Sequence, residues 1–540
     1  MPDAILSTPR LSVRLYKSIS RKVGDAGLPV SERYANKEPF IDLTPFLGDG
    51  SSVTTSKSNG QPCGSFSLTF ADAPSPFTPS LGTPVSPQNL ESVYGLVEPM
   101  DIVEIRMWGG IGTCPDPLPI KMRGFVTNIT RSRQMSPQGT PIRTVQVSGQ
   151  DYGKILQSFQ ILYIPNYDGS PSLLTGFNFF EQFGGAVQNC VTGAEFIDLM
   201  LTHAINPLLE SLIPENNGMP RQIVPDVQTT GMVSDSWMRQ EGSVYDLLKS
   251  YLDVGIWNEL FIEDREDGVY LVWRPVPYID LMTGKYTQKL AQDPEFAKIP
   301  DNMIVSYQQS RNDQAVYNYY WCTNQRFDMV DDAFRRQEAL MAGGHQDTMD
   351  YPNTARDYYG IRAMYAESVT YPESIKNVSS GLPESEQDSR GGEIDNWLQT
   401  RRQVMIDNNK DNVVLERGMI TLKGGITRDL STIPIHSGDY ITVNDGLVTW
   451  NAYVETITDT FAPFRTYVAT VEFTRGTGFA ERISRTGGGD SPWLRDQATR
   501  NKSVWLMTET EAVQPDQRLV DASSWLNEPT PSIGWKGAGK

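Results

Sequence analysis

Residues 121–163 read KMRGFVTNITRSRQMSPQGTPIRTVQVSGQDYGKILQSFQILY. Met122, Phe125 and Ile129 open a strand, and residues 131–141 form a polar turn carrying Pro and Gly. A second strand follows over 142–148, where Val145 and Val147 alternate against Thr144, Gln146 and Ser148. Gly149-Gln150-Asp151 breaks that strand, and Asp151 is placed to cap a helix over 152–159. The stretch is therefore a β-hairpin that runs into a helix through Ser-Gly-Gln-Asp. Nothing in it has a catalytic pattern.

Strand alternation continues outward on both sides. Leu11, Val13 and Leu15 share one face of an early strand, and Phe66, Leu68 and Phe70 share one face of GSFSLTF. Residues 71–88 hold five prolines and cannot sit in a central strand, because proline lacks the ladder donor. Residues 99–108 return as a strand, with Val103, Ile105 and Met107 apolar and Ile102, Glu104, Arg106 and Trp108 on the other side. Thr192-Gly-Ala-Glu195 is a capping box ahead of Phe196, Leu199, Met200, His203 and Ala204 at helical spacing. Ser243 opens a second helix with Leu247, Leu248, Tyr251 and Leu252, ended by Gly255. A hairpin follows, with strands 257–262 and 269–274 about the turn EDREDG. Residues 301–323 are another β segment, and 328–354 a polar, exposed insertion. SSGLPESEQDSRGG reads as a loop before a helix over 393–407. Strands at 418–423, 440–443, 448–458 and 467–475 close an antiparallel meander.

At 540 residues the chain is long enough for two to four domains with large cores. With 45 Gly, 36 Pro and 10% aromatics, composition favours strands and turns over long helices. There is no run of about 18 apolar residues, so no stable membrane insertion is expected, and the first residues lack the apolar core of a signal peptide. Cys63, Cys114, Cys190 and Cys322 have no CxxC spacing, which argues against a zinc site or a disulfide framework and fits a reducing cytoplasm. The net charge of −18 argues against sequence-specific nucleic-acid binding. The acidic excess either aids solubility or keeps a surface from sticking to DNA.

Three histidines allow a nearly exhaustive test of His chemistry. His203 reads as a satisfied core or interface residue, His345 lies in the polar insertion, and His436 lies in a turn. There is no HExxH, GxSxG or Walker loop. The acidic clusters at 263–267 and 328–332 lack calcium-loop spacing and read as solvated turns. No catalytic, metal or cofactor residues are expected. The tail, residues 484–540, carries Trp493, Trp505, Trp525 and Trp535 in a polar, Pro/Gly-rich background. It either docks on another surface, of this chain or a neighbour, or packs as a short helix on its own domain.

Four features in order resemble the central baseplate hub family of tailed bacteriophages. These are the Asp101-led strand with the Ser148-Gly-Gln-Asp151 junction, and the helix–hairpin–Arg274-Pro275 segment. Val305-Ser306 with residues 311–321 resembles a strand pair that rebuilds a β-domain after an insertion. Arg417-Gly-Met-Ile-Thr-Leu, Gly438-Asp-Tyr-Ile, Tyr453-Val-Glu-Thr-Ile and residues 471–476 resemble a closing barrel.

The resemblance implies a mainly β, α+β chain with two tail-tube-like antiparallel β-barrel domains, inserted smaller α/β domains and an extended C-terminal tail. The boundaries it suggests are 1–160 for the first β-barrel domain, 161–300 for an inserted helix-plus-hairpin domain and 301–375 for strands rejoining the core. Residues 376–415 would be a linker, 416–483 the closing strands of the second barrel, and 484–540 the tail. It implies a virion protein made in the host bacterial cytoplasm, a homotrimer that adapts a six-fold tail tube to a three-fold spike and lines the DNA channel. Its partners would be its own copies, the tail tube or a tube initiator, the spike, the tape-measure protein and the surrounding wedge proteins. The rivals are a host-receptor or glycan-binding tail-tip protein and a β-rich glycan hydrolase. Candidate interface residues are Arg131, Arg133 and Pro137 at the hairpin tip, Phe77 in the proline-rich loop, and the four tail tryptophans. Deleting residues 487–540 is expected to weaken assembly with a partner and leave the β domains folded.

Overall fold

The computed structural model describes residues 8–18, 40–71, 93–110, 114–135, 139, 141–161, 190–215, 218–234, 242–281, 283–291, 293–294, 296–324, 345–347, 352–372, 384–424, 434–444 and 449–477. Among these residues the chain is mainly β, an α+β fold built on antiparallel sheet. The first strands are β1 (Arg10–Tyr16), β2 (Ile41–Asp42), β3 (Ser52–Ser58), β4 (Ser65–Ala71), β5 (Ile102–Trp108), β6 (Ile120–Met135) and β7 (Pro141–Asp151). Short strands follow: β8 (Gln160–Ile161), β9 (Cys190–Thr192), β10 (Ile223–Val227), β11 (Met232–Ser234) and β12 (Gly242–Ser243). A hairpin of β13 (Asn258–Arg265) and β14 (Gly268–Pro275) precedes β15 (Phe296–Ile299), β16 (Ile304–Ser310), β17 (Tyr319–Asn324), β18 (His345–Asp347) and β19 (Ala363–Ser368). Last come β20 (Glu416–Lys423), β21 (Tyr440–Asn444), β22 (Thr449–Ala462) and β23 (Thr466–Gly476).

Thirteen strands form one sheet, ordered β16-β20-β23-β22-β3-β4-β7-β6-β5-β1-β2, with β21 also on β22 and β15 beside β21. Period-two burial drives it: Phe66, Leu68 and Phe70 of β4 all point inward. The sheet contains the same path twice. The order β3-β4-β7-β6-β5 in the first half is matched by β16-β20-β23-β22-β21 in the second. Each half has its own core, around Leu68, Ile105 and Val147 in the first and Ile420, Trp450 and Val471 in the second. They are fused where β22 pairs with β3, and Phe461 and Tyr467 of the second half pack into the first core.

The helices sit outside this sheet. The capping box at Thr192 forms, with its hydroxyl accepting from Glu195 N–H and the Glu195 carboxylate accepting from Thr192 N–H. The helix Gly193–Met200 then passes through a π turn, Leu201–Ile205, into Asn206–Leu212. His203 lies exposed in that turn, not in the core. Ser243 caps Val244–Tyr251 by accepting from Asp246 N–H.

Other segments depart from the sequence reading. β6 runs on to Met135, so Arg131 and Arg133 lie in a strand and not in a turn. The long strand is held by β7, which pairs with it from Asp151 back to Pro141. β16 joins the large sheet, but β17 builds a separate three-stranded sheet with β18 and β19. The helix expected over 393–407 spans Glu384–Asn409, so part of SSGLPESEQDSRGG is helical. Gly391 and Gly392 cost roughly 1 kcal/mol each there. Burial of Leu398, Met405 and Ile406 against Trp257 and Tyr320 offsets that cost. No helix among the described residues is long and apolar enough to cross a membrane.

Candidate assembly site

The two sheet halves share a corner built the same way from different residues. In the first, the Asp101 carboxylate accepts from Glu98 N–H at 2.8 Å. Met100 N–H donates to Val126 O at 2.8 Å, and Val126 N–H donates to Asp101 O at 2.8 Å. In the second, the Asp439 carboxylate accepts from His436 N–H at 2.9 Å. Gly438 N–H donates to Val454 O at 2.8 Å, and Val454 N–H donates to Asp439 O at 3.0 Å. The residue before each aspartate has positive φ, +74° at Met100 and +91° at Gly438. A side chain at 438 would also meet the Arg274 guanidinium, with its Cβ 2.3 Å from Nη2.

A β-bulge follows each corner, between Val126 and Asn128 in β6 and between Val454 and Thr456 in β22. Before the bulge, β22 pairs with β21; after it, β22 pairs with β3. β6 pairs with β5 before its bulge, and after it, among the described residues, with β7 alone.

A clamp of charges ties the β13–β14 hairpin to this framework. Lys57 of β3 lies 2.5 Å from Asp264 and 3.7 Å from Asp151. Glu104 is held by Arg106 at 2.7 Å and Arg123 at 3.2 Å. Arg106 also reaches Glu266 at 2.8 Å, and Arg123 donates to Arg265 O at 2.7 Å. Lys121 of β6 meets Asp459 of β22 at 3.0 Å. Burial pushes the Glu104 carboxyl up, but the two guanidiniums outweigh it and hold the group below its ordinary range. For Asp151 burial wins over Lys57, and its carboxyl is pushed up to about 6.

A small cleft between hairpin and sheet is lined by Lys57, Lys121, Glu263, Asp264, His436 and Asp459. The lysines and carboxylates among these have ionic partners within the chain, and His436 Nδ1 stands 3.3 Å from Glu263, so the arrangement binds three segments together. Among the described residues no three His, Cys, Asp or Glu side chains cluster as a metal site would need.

Of the residues proposed from sequence, Arg131 and Arg133 are exposed on the outer half of β6. The Arg131 guanidinium stands 5.9 Å from the Tyr94 ring, and Arg133 pairs with Arg143 across the hairpin. Phe77, Pro137, Trp493, Trp505, Trp525 and Trp535 lie outside the described residues. Asp151 does not occupy the cap position of Gly153–Ser158, which falls to Tyr152. Its two carboxylate oxygens instead accept from Gly153 N–H at 2.9 Å and Gly64 N–H at 2.8 Å, tying the helix start to the loop before β4. The acidic turn 263–267 is docked and not simply solvated, with Asp264 buried. Sequence reading missed Arg106 and Arg123, which reach this turn, and Glu104, which holds both guanidiniums. The signal for Glu104 and Arg106 was the polar side of β5, charged on a strand that is buried on both faces.

No family model matches the chain, and no curated protein sequence matches it. Solved structures do resemble it. The 43 kDa tail protein of prophage MuSo2 from Shewanella oneidensis is 11% identical, with a TM-score of 0.44 over 87% of this chain and 98% of that one. A tail protein from Neisseria meningitidis MC58 is 10% identical, with a TM-score of 0.42 over 88% and 98%. The E. coli c3393 protein is described as a type VI secretion component structurally similar to T4 bacteriophage tail proteins gp27 and gp5. It is 8% identical, with a TM-score of 0.32 over 79% of this chain and 74% of that one. These three solved structures are thus two tail proteins and a secretion-system component likened to tail proteins.

Proposed function

We propose that this chain is a structural virion protein, the trimeric central hub of a phage tail baseplate. One observation carries the reading: two β units with the same strand order and the same Asp–bulge corner are fused edge to edge in one sheet. A chain that repeats one unit twice presents six units as a trimer, so a six-fold ring can meet a three-fold object. The tube or tube initiator would meet the six-fold side and the spike the three-fold side, with tape-measure and wedge proteins around them. The work is mechanical, and it suits a chain whose charged cleft is spent on holding segments together. The net charge of −18 would then help a channel lining repel DNA phosphates.

Native mass spectrometry tests the assembly. Three times the 60.4 kDa chain mass is expected, with rings and a central opening in negative stain. A protein that stays monomeric at micromolar concentration and forms no rings would overturn the reading.

A further inference from the structure

The internal repeat assigns a partner to two sheet edges. Superimposing the halves by their ladders makes Asn128 of β6 equivalent to Thr456 of β22, since both follow the bulge and pair with Ser148 and Glu472 in turn. The same ladders carry β3 onto β16, with Val53 equivalent to Tyr307, Thr54 to Gln308 and Ser56 to Ser310. In the second half, β22 beyond its bulge takes β3 as neighbour, antiparallel, with Thr458 opposite Ser56 and Phe461 opposite Val53. In the first half, the equivalent part of β6 has β7 on one side only among the described residues, and β16 has only β20. Among the described residues, each is the strand neighbour that the repeat supplies to the other.

We infer that β16 of one copy pairs antiparallel with the outer half of β6, residues 128–135, in a second copy, repeating the β22–β3 junction between chains. The register follows without adjustment: Thr130 opposite Ser310, Arg131 opposite Gln309, Ser132 opposite Gln308 and Arg133 opposite Tyr307.

Residue chemistry agrees with this register. Within the chain, Ser56 Oγ and Thr458 Oγ1 touch at 3.0 Å, and Thr456 Oγ1 donates to Ser58 Oγ at 3.1 Å. Between copies the matching positions are Ser310 with Thr130 and Asn312 with Asn128, again hydroxyl with hydroxyl and polar with polar. On the other face, Val53 opposite Phe461 becomes Tyr307 opposite Arg133, an aromatic ring meeting a guanidinium. Tyr307 is 45% exposed and Val305 51% exposed, a large apolar surface for an edge strand. The two edges lie on different strands, separated in the sheet by β20, β23, β22, β3, β4 and β7. Association is therefore head-to-tail, the kind that closes into a ring. Only the number of copies in that ring rests on the hub reading.

Paired cysteines test the inference in the full chain. Thr130→Cys and Ser310→Cys chains are co-expressed with different tags, and the assembly is purified and mildly oxidised. A disulfide-linked pair carrying both tags is expected, beyond the background of the native Cys63, Cys114, Cys190 and Cys322 seen without the substitutions. Thr130→Cys with Gln309→Cys, whose side chains point to opposite faces, is expected to give none. A ring that forms by mass but shows no 130–310 link overturns the strand pairing and leaves the hub reading standing. A chain that stays monomeric overturns both. Equal linking of the 310 and 309 pairs overturns the register.

Discussion

Asp151 concentrates the physical chemistry of the first sheet half in one carboxylate. It is buried and accepts two backbone N–H groups, yet the cation beside it, Lys57, is nearer to Asp264. Burial therefore dominates, and the group holds its proton up to about pH 6 in the folded chain. In the unfolded chain it releases the proton near pH 4. Between those values the folded state binds the extra proton, so Asp151's contribution to stability falls as pH rises across the window. The expected consequence is that the gap in unfolding free energy between wild type and Asp151→Asn shrinks from pH 4 to pH 7, by on the order of 3 kcal/mol. Urea titrations at unit pH steps measure it. The constant cost of the lost backbone hydrogen bond cancels in the comparison. A gap that stays flat or widens would show that Lys57 dominates instead.

At the scale of the hairpin, the glycine of Ser-Gly-Gln-Asp is set by a backbone carbonyl and an aromatic ring lying against it. A Cβ at Gly149 would sit 2.3 Å from both Phe125 O and the Phe66 ring, and one at Gly124 would sit 2.5 Å from Gln150 O. Phe66 of β4 thus covers the glycine pair beside the bulge and fills the space their missing side chains leave. Gly149→Ala is expected to destabilise by about 1–3 kcal/mol through overpacking. Phe66→Leu in the same chain should cost less than additively, because the smaller side chain relieves the ring's part of the clash while Phe125 O stays in place. Equilibrium urea unfolding of the two single variants and the double closes the cycle; strict additivity would remove the ring as the cause.

This element was partly legible beforehand. Alternation located β4, β7, β20 and β23, and the Thr192 capping box located its helix, because those signals are local. The outer half of β6 was not legible: Arg131, Ser132 and Gln134 read as a turn, and the long-range ladder to β7 holds them extended. The helix from Glu384 was hidden by Gly391 and Gly392, whose cost is met by packing far away in sequence. Asp101 and Asp439 each announced a strand, but their equivalence needed the corner hydrogen bonds, which no spacing encodes.

For the whole molecule, two cores in one sheet raise the question of whether the halves unfold together. Three connections say that they do. β22 and β3 share a ladder of six residue pairs, and Phe461 and Tyr467 complete the first core from the second half. Lys121 and Asp459 form an ion pair across the seam, both side chains under 10% exposed. Tyr467 donates to the same Asp459 at 2.9 Å, so the carboxylate joins the seam to the hydrophobic contact beside it. Lys121→Met leaves that buried carboxylate without its cation, a loss expected to cost about 3–5 kcal/mol. If the halves are one cooperative unit, amides of β4 and β7 and amides of β20 and β23 share one opening free energy by hydrogen exchange. In Lys121→Met both sets should then lose protection by the same amount, although the substitution lies in the first half. Loss confined to one set would mean that the halves open separately and that the β22–β3 ladder does not couple them.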